Sequence, residues 1–132
     1  MQKTYQKKKY IPFYAEDIEK LQKEKVFLVD VRTEYEFKNG SIESAVNIPV
    51  DSIRDNLDKF PKDKNEKIYI FCQIGLRGYI ASMILKHNGY KNIYNLSGGY
   101  YTYKTYKRQL CATYCEAPVK ISGGDSQMPE DI

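Results

Sequence analysis

The sequence predicts an α/β domain in which a central, mostly parallel sheet is flanked by helices on both faces. Three observations point there. Short strand and helix candidates alternate along most of the chain. The strand candidates are near-continuous apolar runs, the pattern of strands covered on both sides. Finally, Ile68-Tyr69-Ile70-Phe71 leads through Cys72 and a glycine-bearing loop into an apolar-periodic stretch, a strand–loop–helix unit.

The elements follow in order. Ala15 to Lys23 carries Ile18 and Leu21 at helical spacing. Val26 to Val31 is an apolar strand interrupted only by Asp30. Thr33 is the expected N-cap of a short helix over Glu34 to Lys38 that closes at Asn39-Gly40. Val46-Asn47-Ile48 is a brief strand ended by Pro49, and Asp51 or Ser52 is expected to cap another short helix through Leu57. After the Ile68 strand comes a helix from Tyr79 to Leu85, closing at Asn88-Gly89. A strand over Ile93 to Leu96 follows, and past Ser97-Gly98-Gly99 a last helix begins near Tyr100.

With 132 residues, 42% hydrophobic and 29% charged, the chain suits one globular domain. No apolar run approaches the roughly 18 residues a membrane helix needs. Met1 to Tyr5 has no apolar stretch of the signal-peptide kind, so the expected location is the cytoplasm. Lys3, Lys7, Lys8 and Lys9 make the N-terminus basic, and Glu116, Asp125, Glu130 and Asp131 make the C-terminus acidic. These read as solvated termini, giving a basic arm over 1–10, a domain over 11–110 and a tail or linker over 111–132. Neither nucleic acid nor membrane is an expected partner.

Cys72 is the residue with a chemical setting. At the C-terminal end of a parallel strand, before a helix, a thiol meets backbone N–H groups and the positive end of a helix dipole, which favour the nucleophilic thiolate. Gly75 and Gly78 permit the loop Gln73-Ile74-Gly75-Leu76-Arg77-Gly78 to turn its N–H groups inward. Arg77 offers a charge-assisted contact to an anionic substrate. Cys-x4-Arg alone is a weak pattern, met also by a buried structural cysteine with its arginine on the surface. Asp30 is expected to brace backbone near the loop, and Arg32 to pair with an acid such as Glu36, both as structural support. The only histidine, His87, reads as a helix-end residue. Cys111 and Cys115 form a Cys-x3-Cys pair that is either two peripheral thiols, a redox pair or a sulfur relay, and two ligands short of a zinc site. No metal is expected. Tyr100 and Tyr103 share a helical face, as do Tyr103 and Tyr106, and these tyrosines are expected to pack on the domain's own core, with a partner surface as the alternative.

Four motifs in order give the chain a resemblance to the single rhodanese domain across roughly Ile11 to Lys107. They are Leu28-Val29-Asp30-Val31-Arg32 with Glu36-Phe37, Gly40 through Pro49, Ile70 through Arg77, and Leu96-Ser97-Gly98-Gly99-Tyr100. Ser41 stands where the family has His, and Ser44 where it has Gly. The resemblance implies a sulfurtransferase in which Cys72 accepts a sulfane sulfur from thiosulfate or a low-molecular-weight persulfide. It then passes that sulfur to a thiol or cyanide. Related phosphatases have a loop one residue longer. Gly75 to Tyr79 and Asn95 to Tyr100 further resemble the rhodanese domain fused behind flavin- and NAD(P)H-dependent coenzyme A-disulfide or persulfide reductases. No dinucleotide-binding glycine fingerprint occurs in these residues, so FAD, NAD(P)H and coenzyme A are expected only in a reductase outside them. The alternative role is a non-catalytic docking or regulatory module of such a reductase.

Overall fold

The computed structural model describes residues 10–114. The predicted basic arm, apart from Tyr10, lies outside the described residues, as do Cys115 and the residues after it. Among the described residues, five parallel strands form one sheet in the order β1-β5-β4-β2-β3. They are β1 (Ile11–Phe13), β2 (Phe27–Asp30), β3 (Val46–Asn47), β4 (Lys67–Phe71) and β5 (Asn92–Leu96). Four α-helices connect or cover them: α1 (Ile18–Lys23), α2 (Glu34–Lys38), α3 (Leu76–His87) and α4 (Gly99–Tyr114). This is the expected α/β architecture, and α4 runs through the boundary drawn at residue 110.

Strand periodicity sets the core. Ile68 and Ile70 of β4 turn to the face that packs α3, with Val29, Ile84, Leu85 and Ile93. Tyr69 and Phe71 turn to the opposite face, with Phe13, Ile18, Leu21 and Leu96. Tyr100 and Tyr103 of α4 pack against that second layer, so these two of the late tyrosines cover the domain's own core. Continuing the alternation by one residue puts Cys72, 1% exposed, on the α3 side.

Several local expectations change. β1, which places Pro12 beside Asn95, is a strand the sequence reading missed. Ala15–Asp17 is a 3-10 turn, so the first α-helix starts at Ile18. Neither Asp51 nor Ser52 caps a helix. Pro49, extended at ψ 145, leads into a 3-10 turn over Val50–Ser52, and a second, kinked 3-10 segment spans Arg54–Lys59. α3 begins at Leu76, three residues before the expected Tyr79, and that shift defines the site.

Candidate active site

Leu76, Arg77 and Gly78 are the first turn of α3, and Gly75 is its N-cap. The first N–H groups of a helix have no partner within it. Here two point at the thiol: Gly75 N donates to Cys72 Sγ at 3.0 Å and Gly78 N at 3.3 Å. Gly75 adopts φ 144, a conformation open to glycine. The loop's carbonyls go elsewhere. Tyr100 N donates to Cys72 O at 2.8 Å and Tyr101 N to Gln73 O at 3.0 Å. α4 therefore takes the carbonyls of the loop while α3 supplies donors to its sulfur. Gly99 makes this approach possible, since a Cβ there would lie 2.6 Å from Cys72 O.

Arg32 does not pair with Glu36 as expected; it pairs with Asp30. Asp30 is fully buried and Arg32 3% exposed. The Asp30 carboxylate accepts from Arg32 N at 2.9 Å and Nε at 3.0 Å through Oδ1, and from Arg32 Nη2 and Ser41 Oγ, each at 2.8 Å, through Oδ2. Full satisfaction is what makes a buried carboxylate tolerable. Arg32 carries the hold of the Asp30 carboxylate to the active loop: its Nη1 donates to Gln73 Oε1 at 3.2 Å and its Nη2 to Gly40 O at 2.7 Å. The guanidinium also lies 4.4 Å from the centroid of the Tyr100 ring. The two departures from the rhodanese pattern have local accounts. Ser41 keeps a donor on Asp30. Ser44 sits at φ 79, where glycine is unstrained and another residue costs about 1 kcal/mol.

Arg77 is also engaged within the protein. Its Nη1 donates to Glu36 Oε1 at 2.7 Å and Nη2 to Oε2 at 3.0 Å, a two-pronged pair. Glu36 is held as well by the Thr33 capping box, in which Thr33 N donates to Oε1 at 3.0 Å. The Arg77 bond, aided by these donors, pulls the Glu36 carboxyl down from 4.5 to about 2. The same bond raises the Arg77 guanidinium above its ordinary range. Arg77 thus ties α3 to α2 beside Cys72, rather than standing open to an anion.

The thiol itself is buried, while two apolar side chains of the segment that follows it face outward. Ile74 and Leu76 are each 71% exposed on the loop. Beside Arg77 lies a cleft of about 320 Å³, walled by Val31, Pro49, Ile80 and Ile84 with Arg54 at its side. His87, exposed at the far end of the twelve-residue α3, is roughly 15 Å along the helix from the site. Cys111 is exposed on α4. Among the described residues no cluster of three or more His, Cys, Asp or Glu side chains is arranged to hold a metal. One neighbour escaped the sequence reading: Asn95 of β5 donates through Nδ2 to Gly75 O at 3.2 Å. Its signal was a polar residue inside the run Ile93 to Leu96.

A parallel α/β sheet whose central strand ends in a cysteine, cradled by the N–H groups of the next helix, defines a cysteine-loop domain. Residues 14–106 match the rhodanese-like domain family, and the chain belongs to it. It is 36% identical over 112 residues to a tRNA uridine(34) hydroxylase of Erwinia tasmaniensis, covering 79% of this chain and 31% of that protein. It therefore spans about a third of that relative's length. Among solved structures it is similar to reduced Bacillus anthracis CoADR-RHD, with TM-score 0.70 and 36% identity, over 76% of this chain and 18% of that one. It is similar also to a NAD-dependent persulfide reductase from A. fulgidus, with TM-score 0.56 and 30% identity, over 72% of this chain and 16% of that one. The human single-domain sulfurtransferase matches at TM-score 0.63 and 25% identity, over 71% of this chain and 95% of its own.

Proposed function

We propose that this domain is a sulfurtransferase that carries sulfane sulfur on Cys72. The observation behind the reading is the pair of N–H donors, Gly75 and Gly78, aimed at one sulfur at a strand end. Donors placed there stabilise an anionic sulfur, whether the thiolate or the outer atom of a persulfide. In the first half-reaction the Cys72 thiolate attacks the outer sulfur of thiosulfate. The donor S–S bond breaks, sulfite leaves with the electron pair, and a Cys72 persulfide forms. In the second, an acceptor thiolate or cyanide attacks the outer sulfur and releases the Cys72 thiolate. No oxidant or reductant is consumed. A low-molecular-weight persulfide serves as donor in the same way, leaving as a thiolate.

Likeness to CoADR-RHD and to a persulfide reductase supports a coenzyme A persulfide as donor or product, with a flavin disulfide reductase, fused or associated, as partner. FAD, NAD(P)H and coenzyme A would belong to that reductase. Initial rates with thiosulfate, mercaptopyruvate and coenzyme A persulfide, each against cyanide, test the reading. Double displacement predicts parallel double-reciprocal lines, with coenzyme A persulfide the most efficient donor. Absence of turnover with every donor would leave the docking-module role instead.

A second reading rests on the 36% identity to tRNA uridine(34) hydroxylases. In it the cysteine loop serves a protein that modifies tRNA at uridine 34. Nucleoside analysis of tRNA from cells in which the encoding gene carries Cys72→Ser separates the two. Loss of a modification at uridine 34 favours the second, and unchanged tRNA excludes it.

A further inference from the structure

Asn95 is 3% exposed, set in a layer of Ile68, Ile70, Ile93 and Cys72. Its Nδ2 makes a bond to Gly75 O, while its Oδ1 is buried without a hydrogen-bond partner. An unpaired buried acceptor is costly, and an aliphatic side chain of similar volume would fill this layer without that cost. What the amide does that a leucine could not is grip the loop. Gly75 adopts φ 144, a backbone conformation that L side chains rarely take, and its N–H lies 3.0 Å from Cys72 Sγ. Its carbonyl is fixed from outside by Asn95 and along the helix by Tyr79 N at 3.0 Å. On the other side of the amide, a Cβ on Gly78 would run into Asn95 Oδ1, so this side chain also sets how closely the first turn of α3 approaches β5. Gly78 supplies the second donor to the sulfur, at 3.3 Å. One side chain thus meets both residues that cradle the thiol.

We infer that Asn95 is a positioning residue for the reactive sulfur, holding the Gly75 and Gly78 N–H groups on Cys72 at the expense of its own unsatisfied carbonyl. Its purpose rests on the sulfur-transfer reading, but its effect on the loop can be measured without it. The test compares the full chain with Asn95→Leu and Asn95→Ser by three readouts: thermal unfolding, the backbone amide resonances of Gly75 and Gly78, and the rates of Cys72 alkylation by iodoacetamide and of sulfur loading from thiosulfate. Asn95→Leu removes the grip and the orphan oxygen together, so it should unfold no earlier than wild type. Its alkylation and loading should nevertheless slow by about fivefold or more, the worth of one hydrogen bond, with both glycine resonances displaced. Asn95→Ser, too short to reach Gly75, should show the same slowing and carries the test if the leucine variant fails to fold. Wild-type rates and undisplaced Gly75 and Gly78 resonances in the folded variants would overturn the assignment. If wild type takes no sulfur but the variants still alkylate slowly, sulfur transfer fails and the positioning role stands.

Discussion

Asp30 and Arg32 are the buried ion pair beside the site, with side chains 0% and 4% exposed. Their value lies in mutual satisfaction, because removing one partner strands a charge away from water. Asp30→Ala should therefore cost about 3–5 kcal/mol in denaturant unfolding. A loss below about 1 kcal/mol would mean that water reaches Arg32 and that the pair does not hold the β2–α2 turn. The Arg77–Glu36 pair is more exposed and has a different signature. Its Glu36 carboxyl, ordinarily at 4.5, sits at about 2 in the folded chain. A depressed carboxyl stabilises the fold above its unfolded value, and that contribution fades as the pH falls through the folded one. Wild type and Glu36→Gln should thus differ most in stability above pH 4.5 and converge toward pH 2. A gap that stays constant across this window would contradict the pairing.

Two helix starts meet at the cysteine loop, α3 donating to the sulfur and α4 to the carbonyls of Cys72 and Gln73. Gly99→Ala pushes a methyl group toward those carbonyls and places alanine at φ 64. It should destabilise the protein by about 1–3 kcal/mol and slow sulfur loading, measured by urea unfolding and by mass. Stability equal to wild type would mean that α4 is not seated on the loop. Much at this scale was legible in the residues. Thr33 announced the α2 cap, to which the structure adds Glu36 as the second half of a capping box, and Asn88-Gly89 announced the end of α3. The four-residue apolar run announced β4. What escaped depended on partners far away in sequence. β1 is three residues including a proline, and only its pairing with β5 makes it a strand. Arg32 and Glu36 have helical i, i+4 spacing, yet Thr33 between them is extended at ψ 162. Arg32 therefore shares a face with Asp30, two residues back, and leaves Glu36 for Arg77. The first turn of α3 read as loop because Gly75 and Gly78 lower helix propensity, and the sheet contact outweighs that preference.

Taken whole, the domain buries its thiol and exposes two apolar side chains on the segment that follows it, Ile74 and Leu76. Ile74 and Leu76 contribute nothing evident to the core, so replacing both with Ser should alter stability by no more than about 0.5 kcal/mol. A larger loss in thermal unfolding would show that they pack on the chain itself. Cys111 stands out on α4, away from the cradle, and Cys115 lies beyond the described residues. A chain with both changed to Ser should still accept one sulfur atom from thiosulfate; failure to do so would make them part of the transfer. Cys72 is the residue on which everything converges. The decisive measurement is the intact mass of the protein after incubation with thiosulfate and removal of excess donor. Wild type should gain one sulfur atom, lose it on addition of cyanide, and Cys72→Ser should gain none. An unchanged wild-type mass, or the same gain in Cys72→Ser, would contradict sulfur transfer through Cys72.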